Sequence, residues 1–125
     1  MKELSALNIL VIDDSFVNRQ YIKAVLEEEG INVVEAGDGT EALDILKTYT
    51  PDLVILDLLM PVMGGIETLQ EIRNRKYDFP ILILTADIND STRQTCLQLG
   101  ASGFINKPTN GKDILKLIKK VFQNQ

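Results

Sequence analysis

The sequence predicts an α/β fold of the doubly wound kind, (βα)5, with a five-stranded parallel sheet and helices on both faces. Three observations predict it. Short, continuous apolar runs recur at Asn8–Ile12, Leu53–Leu56 and Ile81–Leu84, with a weaker one at Gly103–Asn106. Runs of this kind suit strands covered on both sides. Helix signals alternate with them along the chain, the pattern of right-handed parallel crossovers. Each run also leads into polar residues of chemical use: Asp13-Asp14, Asp57, Thr85 and Lys107-Pro108. Working residues of such sheets gather beyond the carboxyl ends of the strands.

The elements follow in order. Asn8–Ile12 is the first strand. Ser15 caps a helix whose buried face is read as Val17, Tyr21, Ala24 and Val25, and Gly30 ends it. Residues 31–36 form the second strand. Asp38 and Glu41 have capping-box spacing for a helix carrying Ala42, Leu43, Ile45 and Leu46, closed by Pro51. Leu53–Leu56 is the third strand. A loop with Pro61, Gly64 and Gly65 leads to a helix with Ile66, Leu69 and Ile72. Pro80 opens the fourth strand. Asn89 or Asp90 caps the next helix, which Gly100 ends. Residues 102–106 are the fifth strand. The last helix places Ile114, Leu117, Ile118 and Val121 at helical spacing for burial.

Composition bounds the function. A chain of 125 residues, 45% hydrophobic, fits one domain with a proper core, and no room is expected for an effector domain. A net charge of -5 disfavours nucleic acid as a direct partner. No stretch has the apolar length of a membrane span, and the first residues do not resemble a signal peptide, so a cytoplasmic location is expected. The single Cys96 is expected to be a small buried helix residue. Histidine is absent. A histidine triad, a histidine metal ligand and an internal phosphohistidine are therefore excluded.

Asp13, Asp14 and Asp57 each follow an apolar strand, so three carboxylates should meet at one sheet edge. Like charges at close range raise the cost of ionisation, and a hard cation relieves it. Carboxylate oxygens with water suit Mg²⁺ better than zinc. Lys107, held in a turn beside Pro108, can neutralise a phosphate as a point charge. Lys107-Pro108 is also the natural place for a cis peptide.

These residues resemble the receiver domain of two-component response regulators, in its stand-alone, chemotaxis-regulator-like type. Asp13-Asp14, Asp57, Thr85 and Lys107-Pro108 carry the resemblance. Residues 60–65 (Met-Pro-Val-Met-Gly-Gly), 39–43 (Gly-Thr-Glu-Ala-Leu) and 100–104 (Gly-Ala-Ser-Gly-Phe) extend it over the whole chain, 1–125, as a single receiver domain.

The resemblance implies a flavodoxin-like sheet of order 2-1-3-4-5. It implies a signalling switch rather than an enzyme, one that catalyses only its own phosphorylation and dephosphorylation. Asp57 would accept a phosphoryl group from a partner histidine kinase or histidine phosphotransfer protein. Asp14 and Asp57 would hold Mg²⁺ directly with the backbone carbonyl of Leu59, and Asp13 would act through water. Lys107 would pair with the phosphoryl oxygens. Thr85 and Phe104 would be the switch pair. The output target would bind the face of the fourth helix, fifth strand and fifth helix, with the chain a monomer or weak homodimer.

The chain departs from the common pattern at Gly64, where an aspartate is frequent. Leu59 and Asp87 stand at positions where, on the resemblance, family members differ in how fast the acyl phosphate hydrolyses: apolar Leu59 cannot orient a water, and Asp87 could. Lys112, Lys116, Lys119 and Lys120 line the last helix, either as a solvated face or as part of a partner surface. Val62 and Met63 sit beside Asp57, as loop anchors or as kinase contacts.

Three rival readings are weaker. An aspartyl phosphohydrolase needs a second acid two residues after its nucleophile, where this chain has Leu59. A flavin binder would have its phosphate repelled by Asp13-Asp14. A degenerate interaction module would not need the intact acid, hydroxyl and lysine set.

Overall fold

The computed structural model describes residues 4–60, 63–86 and 89–123. Pro61, Val62 and Asp87, singled out in the sequence, lie outside the described residues. After a short 3-10 turn at Leu4–Ala6, strands and helices alternate as expected. They are β1 (Asn8–Ile12), α1 (Phe16–Glu28), β2 (Asn32–Ala36), α2 (Gly39–Ile45) and β3 (Leu53–Asp57), then α3 (Gly65–Asn74), β4 (Ile81–Thr85), α4 (Asp90–Gln98), β5 (Gly103–Asn106) and α5 (Gly111–Gln123). The strands form one parallel sheet of order β2-β1-β3-β4-β5. The chain thus reverses direction across the sheet between β1 and β3, the crevice where such folds place their sites.

Side chains alternate between two cores. Leu10, Ile12, Val54, Leu56, Ile81 and Ile83 face α2, α3 and α4, where Leu43, Leu69, Ile72 and Cys96 meet them. Ile9, Val11, Leu53, Ile55, Leu82 and Leu84 face α1 and α5, against Ile22, Leu26, Ile114 and Ile118. All five positions of β3 and of β4 are buried, which is why their sequences read as unbroken apolar runs.

The caps match the sequence signals. The Ser15, Asp38 and Asn89 side chains accept from the backbone N–H groups of Asn18, Glu41 and Thr92. Asn89, not Asp90, is therefore the cap of α4. Gly30 and Gly100 end their helices with positive φ. Leu117 and Val121 differ from expectation: they are half-buried beside a surface groove, and only Ile114 and Ile118 of that stripe are fully buried.

The face of α1 also differs. Ile22 and Leu26 are buried, while Val17 is 78% exposed and Tyr21 and Ala24 face solvent. Both stripes have helical spacing, so apolar periodicity alone leaves the rotation of α1 open. Polar ties set it. Glu35 on β2 accepts from Arg19 Nε, Gln20 Nε2 and Lys23 Nζ. The Tyr21 hydroxyl accepts from Gly111 N–H at the start of α5.

Gly65 lets α3 begin against the end of β3. A Cβ there would lie 2.4 Å from Leu58 Cα and 2.5 Å from the Asp57 carbonyl oxygen. At Gly64 the nearest atom would be 3.7 Å away. Gly65→Ala is expected to destabilise the fold by about 2–3 kcal/mol, because backbone cannot yield as a side chain can. Gly64→Ala should change stability by under about 1 kcal/mol. Chemical denaturation of the two variants separates these outcomes.

Candidate functional site

The carboxyl ends of β1, β3, β4 and β5 converge on one pocket. Asp13, Asp14 and Asp57 each bring a carboxylate oxygen to within 4.8 Å of the others. Asp13 is fully buried, Asp57 is 1% exposed, and Asp14 opens to solvent. Asp57 is the last residue of β3, level with Leu84 of β4. Thr85 is buried at the end of β4, level with Asn106, and its carbonyl accepts from the Lys107 N–H. The Lys107–Pro108 bond is cis. From that turn Lys107 Nζ reaches Asp57 Oδ2 at 2.9 Å. Asp57 Oδ1 accepts from the Leu59 N–H at 3.1 Å.

Burial pushes the Asp57 carboxyl above its ordinary value, and the neighbouring Asp13 charge adds to the rise. The Lys107 ammonium and the Leu59 N–H oppose it without cancelling it. The pocket thus holds a raised Asp57 carboxyl beside two further carboxylates, with Lys107 the cation paired to Asp57 among the described residues. The donor set is all oxygen, with an open side at Asp14, which fits a hard divalent cation.

Phe104 stands half-buried on β5, one strand beyond Thr85, with the Arg93 guanidinium of α4 4.3 Å from its ring centroid. Leu59 is 73% exposed at the rim, and Met63 packs half-buried against the α2–α3 core. Asp13, Asp14, Asp57, Leu59, Thr85, Phe104 and Lys107 are all among the described residues, and Asp13, Asp14, Asp57 and Lys107 come together directly.

A group of polar contacts around Asp13 adds residues that the sequence motifs do not mark. Its Oδ1 accepts from the Ser15 N–H at 2.9 Å, its Oδ2 from the Asn18 side-chain amide, and its backbone carbonyl from Arg19 Nη1 at 2.6 Å. The available signal was an amide in the first turn of a helix that follows a strand-ending acid.

A doubly wound sheet carrying acids, a hydroxyl and a lysine at its carboxyl edge defines a phosphoryl-handling signalling domain. The family comparison agrees: residues 9–119 match the response regulator receiver domain, and the chain belongs to that family. It is 43% identical over 115 residues to the probable transcriptional regulator ycf27 of Porphyridium aerugineum, covering 92% of this chain and 48% of that one. It is 36% identical over 115 residues to the alkaline phosphatase synthesis transcriptional regulatory protein PhoP of Bacillus subtilis, with the same coverage. The chain spans about half the length of these curated relatives. Among solved structures, the chemotaxis protein CheY4 of Vibrio cholerae superposes with a TM-score of 0.88 at 36% identity, over 92% of this chain and 98% of that one. A two-component response regulator from Clostridium difficile does so with a TM-score of 0.88 at 27% identity, over 94% and 96%.

Receiver domains are signalling domains of two-component systems. They bind Mg²⁺ at an acidic pocket and take phosphoryl groups from histidine kinases. Among the described residues no helix is long and apolar enough to cross a membrane.

Two outcomes are expected from the pocket's charge. Mg²⁺ at ten times its dissociation constant should stabilise the fold by about 1.4 kcal/mol, raising the melting temperature by roughly 5 °C. Asp14→Asn should remove most of that rise, as a thermal melt with and without EDTA will record. The second outcome concerns pH. A carboxyl raised by folding contributes stability that is fully present below its ordinary value of 3.8 and is lost as pH rises through the raised one. Asp57→Asn carries no charge at any pH. It should therefore melt above wild type in EDTA at about pH 7, and the gap should close below about pH 4.

Proposed function

We propose that residues 1–125 act as one receiver unit whose phosphoacceptor is Asp57, and that phosphorylation switches it to a partner-binding state. The observation that carries this reading is the buried Asp57 carboxylate, 2.9 Å from Lys107 Nζ and within 4.8 Å of two further acids. The phosphodonor is a histidine outside these 125 residues, which contain none, on a histidine kinase or a histidine phosphotransfer protein. Asp57 attacks phosphorus, the phosphorus–nitrogen bond of the donor breaks, and the imidazole keeps the electron pair.

Asp14 and Asp57 would hold Mg²⁺ with the carbonyl of Leu59, and Asp13 would act through water. The cation would neutralise developing charge on the transferred oxygens. This chain's own part is positioning and charge. Lys107 shifts from the free Asp57 carboxylate to a phosphoryl oxygen. Thr85, one strand over, donates its hydroxyl to another. Phe104 follows Thr85 inward, which requires its ring to leave the Arg93 guanidinium. The face of α4, β5 and α5 then presents a changed surface to a protein target. Hydrolysis of the acyl phosphate in the same pocket returns the domain to rest. On this reading the chain is cytoplasmic and a monomer or weak homodimer, and neither nucleic acid nor a membrane is its direct partner.

Incubation with acetyl phosphate and Mg²⁺ should add one phosphoryl group, read by intact mass. Asp57→Asn should take up none, and Lys107→Ala should label about 100-fold more slowly. Equal labelling of the Asp57→Asn protein would end this reading.

A further inference from the structure

We propose that Asn18 is a positioning residue for the acidic pocket, fixing the Asp13 carboxylate in one orientation before a cation enters. The inference rests on the magnesium reading above and adds a residue to it. Asp13 is fully buried, so its polar atoms depend on protein partners in the metal-free chain. The first turns of α1 supply three of them. The Ser15 N–H holds Oδ1, the Asn18 side-chain amide holds Oδ2, and Arg19 Nη1 holds the backbone carbonyl.

Only one of the three is a side chain acting on the carboxylate. The Ser15 donor is backbone and survives any substitution. Arg19 grips the main chain and is shared with Glu35. Asn18 is the neutral side-chain donor to the carboxylate, and with the Ser15 N–H it fixes the rotation of the carboxyl group. Its own backbone N–H is tied to Ser15 Oγ in the same capping turn, so the amide projects from a fixed point.

The chemistry of the donor matters. A lysine or arginine in this place would neutralise Asp13 and compete with a divalent ion. A neutral amide orients the group and leaves the negative charge in the pocket. Each carboxylate oxygen has two lone pairs, and one amide occupies only one of them. The other remains for the ion's water shell. Outer partners of this kind commonly change metal affinity 10–100-fold when removed.

The test is a Mg²⁺ titration by calorimetry on the full chain, with melting temperatures in EDTA measured in parallel. Asn18→Ala and Asn18→Leu both remove the donor, and the second keeps most of the volume. Each is expected to weaken Mg²⁺ binding about 10-fold. Asn18→Gln, which retains the amide, should fall closer to wild type. In the wild-type protein in EDTA, NMR should show the Asn18 side-chain amide protons exchanging slowly with solvent, a readout that needs no variant to fold. Unchanged or tighter Mg²⁺ binding in the Ala and Leu variants overturns the proposal, as do solvent-like amide protons. So does a drop in EDTA melting temperature at constant affinity, the mark of a purely structural residue. A wild-type chain that binds no Mg²⁺ overturns the metal reading along with it, whereas normal wild-type binding beside unaffected variants removes Asn18 alone.

Discussion

Asp57 sits with one hundredth of its surface exposed, at the end of a strand whose other four residues are buried and apolar. That placement is the constraint from which the rest follows. A carboxylate in such surroundings is unstable unless positive charge reaches it. Among the described residues Lys107 brings that charge, from the turn after β5. The fold also sets two more acids within 4.8 Å of Asp57, and the Asp13 charge adds to the rise that burial imposes. The pocket is thus poised to gain from a divalent ion or from anything that rearranges its charge.

Much of this was legible in the sequence because the strands are buried on both faces. β1, β3 and β4 read as unbroken apolar runs, and the polar residues at their ends fell where a parallel sheet gathers them. The caps were legible too, since Ser15, Asp38 and Asn89 are local signals needing no tertiary knowledge. The rotation of α1 was not. Val17 and Tyr21 have the right spacing for a core face, but Ile22 and Leu26 have it as well. The choice between them is made by Glu35 and Asp13, which lie on other elements. Contacts of this kind belong to the assembled fold. The same is true of Asn18, whose significance depends on where the Asp13 carboxylate points. The partial exposure of Leu117 and Val121 has a similar origin: α5 closes only part of the sheet edge at β5, which leaves a groove with Arg93 and Lys120 on its rim.

The departures from the common family pattern fall where they cost little. Gly64 precedes α3 in an extended conformation and offers no side chain to cap it. An aspartate there would satisfy one of the helix's free N–H groups, worth a few tenths of a kcal/mol over glycine. The neighbouring Gly65 has no such latitude, because its backbone lies against Asp57 itself. Adjacent glycines thus have different reasons to be there: one tolerates a side chain, the other keeps β3 and α3 in contact.

Arg73 gives α4 an unequal footing. Its guanidinium donates to the carbonyls of Tyr77 and Phe79 in the loop after α3, and to those of Leu99 and Gly100 at the far end of α4. Two of these bonds, to Leu99 and Gly100, clamp that end to the loop that the other two hold, while the opposite end begins at Asp90, five residues after Thr85 in sequence. A push delivered from the pocket would therefore swing α4 about its clamped end instead of sliding it bodily. The displacement would grow along the helix away from the pivot, as it does along a lever.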